Sequence, residues 1–113
     1  MTAAIELSDK FNVTLITKNS LVDSSTWYAQ GGIAAVIDSN DTIEEHLRDT
    51  LIAGDGLCDE NAVRECVSHG REAIEWLSSL GTNFTTDQSK ENFHLTQEGG
   101  HSKRRVVHAE DAT

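Results

Sequence analysis

Two Gly-Gly pairs, each flanked by polar side chains, are the residues of this sequence best suited to bind a ligand. The first pair, Gly31 and Gly32, lies in "SSTWYAQGGIAAV", residues 24–36. Glycine has no Cβ, so backbone N–H groups there can approach a planar or phosphorylated ligand closely. The hydroxyl and aromatic side chains that could add phosphate, ribose or ring contacts are Ser24, Ser25, Thr26, Trp27 and Tyr28. The alternative is an ordinary loop, because a Gly-Gly pair alone is weak evidence.

The second pair lies in "TQEGGHSKRR", where the glycines are flanked by Glu98, His101, Arg104 and Arg105. This combination could form an anion site in which one carboxylate opposes the cations. The carboxylate would bind a substrate ammonium, and the cations would bind the substrate's carboxylates. A solvated charged turn is the alternative, and on chemistry alone it is the favoured one.

Composition excludes several classes of function. The 113 residues include 19 acidic and 9 basic side chains, a formal net charge of −10, which argues against binding to a nucleic-acid backbone. No apolar run approaches the roughly 18 residues of a membrane span. The N-terminal "MTAAIELSDK" lacks the basic region of a secretory signal, and Cys58 and Cys66 are too far apart for a C-x-x-C motif. We therefore expect a cytoplasmic protein with free thiols and with neither nucleic-acid nor membrane partners.

Neither a metal site nor a serine-hydrolase site is predicted. None of the five histidines forms H-x-x-x-H or H-E-x-x-H, and zinc would need tighter ligand spacing. The nucleophile motif G-x-S-x-G does not occur.

The elements that must position the glycine pairs follow from hydrophobic periodicity. Residues 2–10 place apolar side chains on one helical face, and residues 11–18 alternate as a β-strand does. Residues 20–32 are predicted to be irregular. A helix then begins at Asp41 as N-cap, with Glu44 completing a capping box, and Gly54 and Gly56 end it.

A second long helix is predicted to begin at Asp59 or Asn61 and to end before Gly81, with Gly70 allowing a kink. Its predicted buried stripe is Ala62, Val63, Cys66, Val67, Ala73, Ile74, Leu77 and Leu80. Short β segments are predicted around Phe84, Phe93 and residues 106–107. The order of helix, strand, loop, two helices and short strands indicates part of an α/β layer that lacks the strand preceding its first helix.

Four segments together resemble the L-aspartate oxidase family, flavoproteins of the succinate dehydrogenase/fumarate reductase group. They are "YAQGGIAAV", "HLRDTLIAGDGLCDENAV", "AIEWLSSLG" and "HLTQEGGHSKRRVVHAEDAT". The resemblance covers nearly the whole chain, and the last segment is long and ordered, which makes it specific.

The resemblance implies that residues 1–113 are a fragment of a Rossmann-like FAD-binding domain. The fragment would lack the first strand and the G-x-G-x-x-G turn, which supplies backbone N–H groups to the pyrophosphate. The family's capping domain, with its catalytic arginine and substrate histidines, would follow residue 113. We therefore expect no catalytic residue in this chain and no activity of the chain alone.

The resemblance also implies the binding residues. FAD would be bound non-covalently, since Ser25 stands where covalent relatives carry a histidine. The implied flavin contacts are Lys18, Ser25, Thr26, Trp27, Tyr28, Ala29, Gln30, Gly31 and Gly32. Glu98 matches the family's glutamate that orients the substrate amino group, in agreement with the ammonium site expected from its chemistry.

The implied reaction is oxidation of L-aspartate to iminoaspartate, with oxygen or fumarate reoxidising the flavin. The product would feed quinolinate and NAD synthesis, which implies functional coupling to quinolinate synthase. Two alternatives remain. The chain could be a fragment of a succinate dehydrogenase or fumarate reductase flavoprotein subunit, or a non-enzymatic α/β remnant without a ligand.

Overall fold

The computed structural model describes residues 1–23, 28 and 31–109 of the chain. The chain divides into two compact units, Met1–Gln30 and Gly31–Thr113.

The first unit begins with helix α1, Thr2–Ser8, where a helix is predicted. The following segment, residues 11–18, is not a strand, so that prediction is wrong. A strand forms only when its backbone is hydrogen-bonded to a neighbour, and no strand among the described residues pairs with this segment. Its alternating apolar side chains are exposed, and Ile16 keeps 88% of its surface accessible.

The second unit begins its helical part with α2, Ile43–Ala53. Its N-cap is Thr42, whose hydroxyl accepts a hydrogen bond from Glu45 N at 3.2 Å. The N-cap is therefore one residue later than predicted, and the reciprocal bond of a capping box does not form, because Thr42 N donates to Asp41 Oδ1 at 2.9 Å. Thr42 satisfies the helix N-terminus equally well, which leaves the Asp41 carboxylate for another partner.

Two helices occupy the region where one long helix is predicted. Helix α3, Glu60–Ser68, is capped by Asp59 as expected, and α4 spans Gly70–Ser79. The break lies at His69, and the next residue, Gly70, lies close to the end of β1 and to Ala35, which follows it. A Cβ on Gly70 would lie 3.0 Å from the Cβ of Ala35. The predicted kink is thus at the correct position, although the structure has a break between two helices there instead of one kinked helix.

The break also corrects the predicted buried stripe. Val67 and Ile74 are buried, and Val63 and Leu77 are half-buried. The remaining four positions are exposed, because the two helices no longer share one continuous face: Ala62, Cys66, Ala73 and Leu80. The predicted free thiols are confirmed for Cys58 and Cys66.

A small sheet carries the core. Its strands are β1, Gly32–Ala34, β2, Leu95–Thr96, and β3, Val106–His108. The order is β1-β3-β2 and both pairings are antiparallel. Gly32 thus begins a strand rather than ending a loop. A mixed α/β fold is confirmed, whereas the described strands contain no parallel pair of the Rossmann type.

The core forms where the central strand β3 meets the helices. Ala35, Ile74 and Val107 are fully buried together. The partly buried side chains around them are Ile37, Phe84, Phe93 and Leu95. Phe84 belongs to no strand, and Phe93 forms only an isolated bridge with Thr86, so the β segment predicted at Phe84 is wrong. Among the described helices, none has the length and apolar character needed to cross a membrane.

Candidate functional site

Gly31 and Gly32 have different environments although they are adjacent. Gly31 has a φ of +104°, and among the described residues no atom outside its chain neighbours lies within 4 Å of the position that a Cβ would take. Gly32 pairs with His108 in the sheet, and a Cβ there would overlap the Val106 side chain and lie 2.7 Å from the carbonyl oxygen of Val107. The sheet alone therefore explains Gly32, whereas Gly31 leaves open backbone that a ligand could approach.

The other predicted flavin contacts are only partly covered by the structure. Lys18 and Tyr28 are exposed in the first unit. The remaining positions lie outside the described residues: Ser25, Thr26, Trp27, Ala29 and Gln30. Ser24, considered above for its hydroxyl, lies outside them as well.

The second glycine pair is followed by a buried ion network centred on Arg105, whose side chain has no accessible surface. Its Nε and Nη2 each donate to one oxygen of Asp41 at 2.7 Å. Its Nη1 donates to Asp49 Oδ2, also at 2.7 Å. Asp41 and Asp49 are 6% and 8% exposed, so the guanidinium is neutralised inside the protein. Arg105 is therefore unavailable to a substrate anion, so the anion-site alternative is wrong for this residue, and the favoured solvated turn is wrong for it as well because its side chain is buried.

Asp49 also reaches the turn that precedes Arg105. Its Oδ2 accepts hydrogen bonds from the Ser102 backbone N at 2.8 Å and from the Ser102 hydroxyl at 2.7 Å. Asp49 lies on α2, whereas Ser102 lies between β2 and β3. One carboxylate oxygen thus joins the helix, the turn and the buried arginine.

The network shifts the acidity of its members. Burial by itself would raise the pKa of Asp49, but hydrogen bonds from Ser102 and Arg105 outweigh it and hold the pKa well below its ordinary value. The pKa of Asp41 is lowered in the same way, since hydrogen bonds from Arg105 and Thr42 N outweigh burial. The hydrogen bonds that Arg105 donates to the Asp41 carboxylate raise the pKa of Arg105. All three groups are charged at neutral pH.

His46 borders this network, but its shifted pKa favours the neutral form and not the charged form. Burial lowers the pKa of His46, and the positive charge of Arg105 lowers it further. Its ring centroid lies 5.7 Å from that of His101, and its buried Nδ1 has no hydrogen-bond partner among the described residues. His46 is therefore a neutral imidazole next to a buried salt bridge.

Glu98 lies in the turn that the network supports. Its carbonyl oxygen accepts a hydrogen bond from His101 N at 3.2 Å, and Gln97 Nε2 donates to the His101 carbonyl at 2.8 Å. Gly100 has a φ of +83°, a conformation that glycine adopts without strain. The Glu98 side chain is exposed, so its carboxylate can meet a cation from solvent.

The remaining cations of the segment have protein partners as well. Arg104 is exposed, and its Nε donates to the Leu95 carbonyl at 3.0 Å. Lys103 Nζ lies 3.6 Å from a carboxylate oxygen of Glu45. The structure thus brings together Glu98 and the Arg105 network, whereas Gly32 lies on the other side of β3 from β2, the strand that leads to Glu98.

Two other histidines meet at the sheet. His94 Nδ1 and His108 Nε2 are 2.9 Å apart, so one ring donates a hydrogen bond to the other. The described residues contain no group of three or more histidine, cysteine or acidic side chains placed to hold a metal ion.

A family of FAD-binding domains matches residues 1–113 of this chain. The chain belongs to the FAD-binding domain family. The family confirms the expected cofactor, FAD.

Among curated proteins, several with the name L-aspartate oxidase are similar over all or nearly all of this chain. L-aspartate oxidase 1 of Ralstonia nicotianae is 55% identical over 114 residues, and L-aspartate oxidase of Pseudomonas aeruginosa is 48% identical over 119. Both alignments cover 100% of this chain. The chloroplastic L-aspartate oxidase of Arabidopsis thaliana is 44% identical over 97% of it. The chain spans 21%, 22% and 17% of these relatives' lengths, respectively.

Among solved structures, the Sdh1 complex of Mycobacterium smegmatis in the apo form has a similar fold. The TM-score is 0.83 at 23% sequence identity, over 95% of this chain and 18% of that one. At this identity the similarity concerns the fold of the FAD-binding domain alone.

Sequence reasoning missed the network of Asp41, Asp49 and Arg105. One signal could have indicated it: Asp41 and Thr42 are both good N-cap residues, and a helix needs only one. The unused carboxylate had to find another partner if it was buried. Nothing local to "SKRR" distinguishes the buried Arg105 from the exposed Arg104.

Proposed function

We propose that this chain is the flavin-binding and substrate-orienting part of an L-aspartate oxidase, which converts L-aspartate to iminoaspartate. The observation that carries the proposal is the 55% identity to L-aspartate oxidase 1 of Ralstonia nicotianae over the whole chain. The exposed carboxylate of Glu98, on a turn tied to a buried ion network, supports it.

The flavin would be held without a covalent bond by Lys18 and by the 25–32 segment. Gly31 fits this role, because its backbone has a positive φ and open space where a Cβ would stand. FAD supplies the acceptor for the hydride that leaves the substrate Cα. The lack of a histidine at Ser25 supports non-covalent binding.

Glu98 would bind the substrate ammonium through a charge-assisted hydrogen bond. This contact orients the Cα–H bond and selects amino acids over dicarboxylates that lack the ammonium. Because the guanidinium of Arg105 already forms salt bridges with Asp41 and Asp49, other residues would bind the substrate carboxylates. No described residue of this chain is proposed to transfer a proton. Oxygen or fumarate would accept the electrons, and a cytoplasmic enzyme would deliver its product to quinolinate synthase.

The second candidate is a succinate dehydrogenase or fumarate reductase flavoprotein, which the fold similarity to Sdh1 favours. A chimeric enzyme separates the two. In this chimera our chain replaces the matching 114 residues of the Ralstonia nicotianae relative. We expect peroxide formation that requires L-aspartate, no comparable oxidation of succinate, and flavin that is released on acid precipitation.

The unmodified relative is the control for expression and flavin content. Oxidation of succinate in preference to aspartate would favour the second candidate. A flavin-loaded chimera that oxidised neither substrate would refute the proposed function. The 113-residue chain alone, supplied with FAD and aspartate, should form no peroxide above a blank without protein. Aspartate-dependent peroxide from the chain alone would contradict the assignment to one part of an enzyme.

A further inference from the structure

We propose that Asp49 is a positioning residue that fixes the place of Glu98 by holding Ser102, and thereby sets the preference for an amino acid over a plain dicarboxylate. The inference rests on the proposed function of Glu98. Asp49 lies on α2, and no other described side chain of this helix has a proposed role in the reaction.

The turn that carries Glu98 is held at its ends by the β2–β3 pairing, where Arg105 N donates to the Thr96 carbonyl at 3.1 Å, but its own hydrogen bonds do not fix the position of its tip. The hydrogen bond from His101 N to the Glu98 carbonyl and that from Gln97 Nε2 to the His101 carbonyl lie within the turn. They hold its shape but do not join it to the rest of the protein. Gly99 and Gly100 between them have no side chain that could pack. A turn of this kind needs an outside anchor to present a carboxylate in one place.

Ser102 provides this anchor, four residues after Glu98. Both its backbone N and its hydroxyl donate to Asp49 Oδ2, at 2.8 Å and 2.7 Å. Two donors from one residue to one oxygen fix the direction as well as the distance of the contact. The nearby ion pair of Lys103 with Glu45 is longer, at 3.6 Å, and its members are partly exposed, so it constrains the turn less.

Asp49 is itself held by several contacts. It is 8% exposed, lies within α2, and receives a third hydrogen bond, from Arg105 Nη1 at 2.7 Å. Arg105 is in turn held by both oxygens of Asp41. The low pKa of Asp49 keeps the carboxylate charged, and therefore a strong acceptor, throughout the neutral range. The helix thus sets the position of Ser102, and Ser102 limits where Glu98 can lie.

The competing explanation is that Asp49 only neutralises Arg105 and that its bonds to Ser102 are incidental. The two explanations differ in what Ser102→Ala does. This substitution removes one anchoring bond and leaves the ion pairs of Arg105 intact, so it avoids the unfolding expected from substitution of Asp49. Ser102→Thr restores the hydroxyl. Ser89→Ala is the matched control, because Ser89 also donates to an aspartate, Asp87, at 2.6 Å, but outside the turn.

The experiment measures kcat/KM for aspartate oxidation and for fumarate reduction in the chimeric enzyme, per bound flavin. For Ser102→Ala we expect the ratio of aspartate to fumarate activity to fall about tenfold, because a carboxylate that is displaced by a fraction of an ångström loses most of its orienting effect. Ser102→Thr should restore the ratio, and Ser89→Ala should leave it unchanged. A merely structural role would lower both activities together and would not change the ratio.

A second measurement, amide hydrogen exchange of residues 98–102 in the 113-residue chain, keeps the inference testable without catalysis. Ser102→Ala should speed exchange there about tenfold, as expected for the loss of one hydrogen bond to a charged acceptor. An unchanged ratio, or exchange no faster than in Ser89→Ala, would overturn the positioning role. A chimera that is inactive before any substitution would refute the proposed function, and the exchange result would still decide whether Asp49 anchors the turn.

Discussion

The two Gly-Gly pairs look alike in the sequence and differ in the molecule. In the first pair, Gly32 lies in β1 where a side chain would overlap Val106, and its neighbour Gly31 faces open space. In the second pair, nothing lies within 4 Å of a Cβ on Gly99, and a Cβ on Gly100 would make only an ordinary contact, 3.5 Å from Ala53. Glycine is therefore required by packing at one position and by backbone conformation at others.

The difference shows that a missing side chain has two separate uses. At Gly32 it allows two strands to approach, which contributes to stability. At Gly31 and Gly100 it permits a positive φ, which leaves backbone available to a ligand or lets a turn present its neighbours. Arg105 connects the two regions, because its carbonyl accepts a hydrogen bond from Ala35 N at 2.9 Å while its side chain binds Asp41 and Asp49.

The largest effect is expected from Arg105→Met, which removes the side-chain part of that connection. It leaves Asp41 and Asp49 buried without their cation, and removal of one partner from a buried ion pair typically costs about 3–5 kcal/mol. Urea denaturation should show this loss in the free energy of unfolding. Arg104→Met is the control, because Arg104 is exposed and should change stability by less than about 0.5 kcal/mol. If the free energy of unfolding fell equally in both variants, the conclusion that the buried ion pairs of Arg105 stabilise the protein would be refuted.

Gly32→Ala should be the next most harmful change, because the new methyl group collides with β3. Overpacking of this kind costs about 1–3 kcal/mol. Gly99→Ala should alter the free energy of unfolding by less than about 1 kcal/mol, since it meets open space. Thermal unfolding of both variants compares the two glycine pairs directly. If Gly99→Ala proved the more destabilising, the distinction between them would be lost.

Glu98→Gln tests the second region in the chimeric enzyme. Loss of a charge-assisted hydrogen bond costs about 1.5–3 kcal/mol, or roughly ten- to a hundred-fold in kcat/KM for aspartate. Fumarate has no ammonium, so its reduction should be kept or improved, and flavin content should not change. Glu91→Gln, an exposed glutamate outside the turn, should leave both activities intact. A similar loss with both substrates would assign Glu98 to turn structure instead.

Acidification should weaken the region around Arg105 in two stages. The pKa of His46 is lowered from its ordinary 6.5, so folding favours the neutral ring and stability declines as the pH falls below about 6.5. The lowered pKa values of Asp41 and Asp49 add a further loss as the pH falls below about 3.8. Denaturation at pH 7.5 and 5.5 should therefore show a smaller decline in His46→Gln than in the unsubstituted protein.

His69 is the control for this pH dependence, since a hydrogen bond to the Glu65 carbonyl raises its pKa. Its contribution to stability is present below pH 6.5 and is lost as the pH rises, so His69→Gln should steepen the decline on acidification rather than reduce it. If His46→Gln left the decline unchanged, the stability loss would have to come from another group.

The local parts of the fold could be predicted from the sequence. Asp59 caps α3 and Gly81 follows α4, because capping depends on neighbouring residues alone. The strand predicted at residues 11–18 does not form. Alternation of apolar and polar side chains shows which side chains could share a face, but it does not show whether a neighbouring strand is present to pair with the backbone. The close approach of Gly70 to Ala35 joins residues that are far apart in the sequence, so no local pattern reveals it.

The same limit applies to the candidate site. Glu98 and the glycine pairs were found from residue type, and their roles in binding remain predictions. For Arg105 the residue types alone allow a solvated charged turn or an anion site, and the buried side chain fits neither. Its actual partners, Asp41 and Asp49, lie 64 and 56 residues away, and no local pattern reveals them.

This separation has a consequence for the order of folding. A contact between residues 64 positions apart in a 113-residue chain closes a long loop, and the loss of chain entropy must be met before the contact can form. Helices α2 and α3 are contiguous and can form early, whereas the Arg105 pairs wait until β3 has docked. The bonds of Arg105 would therefore form after the folding transition state. Their loss would mainly speed unfolding and would change the rate of refolding little.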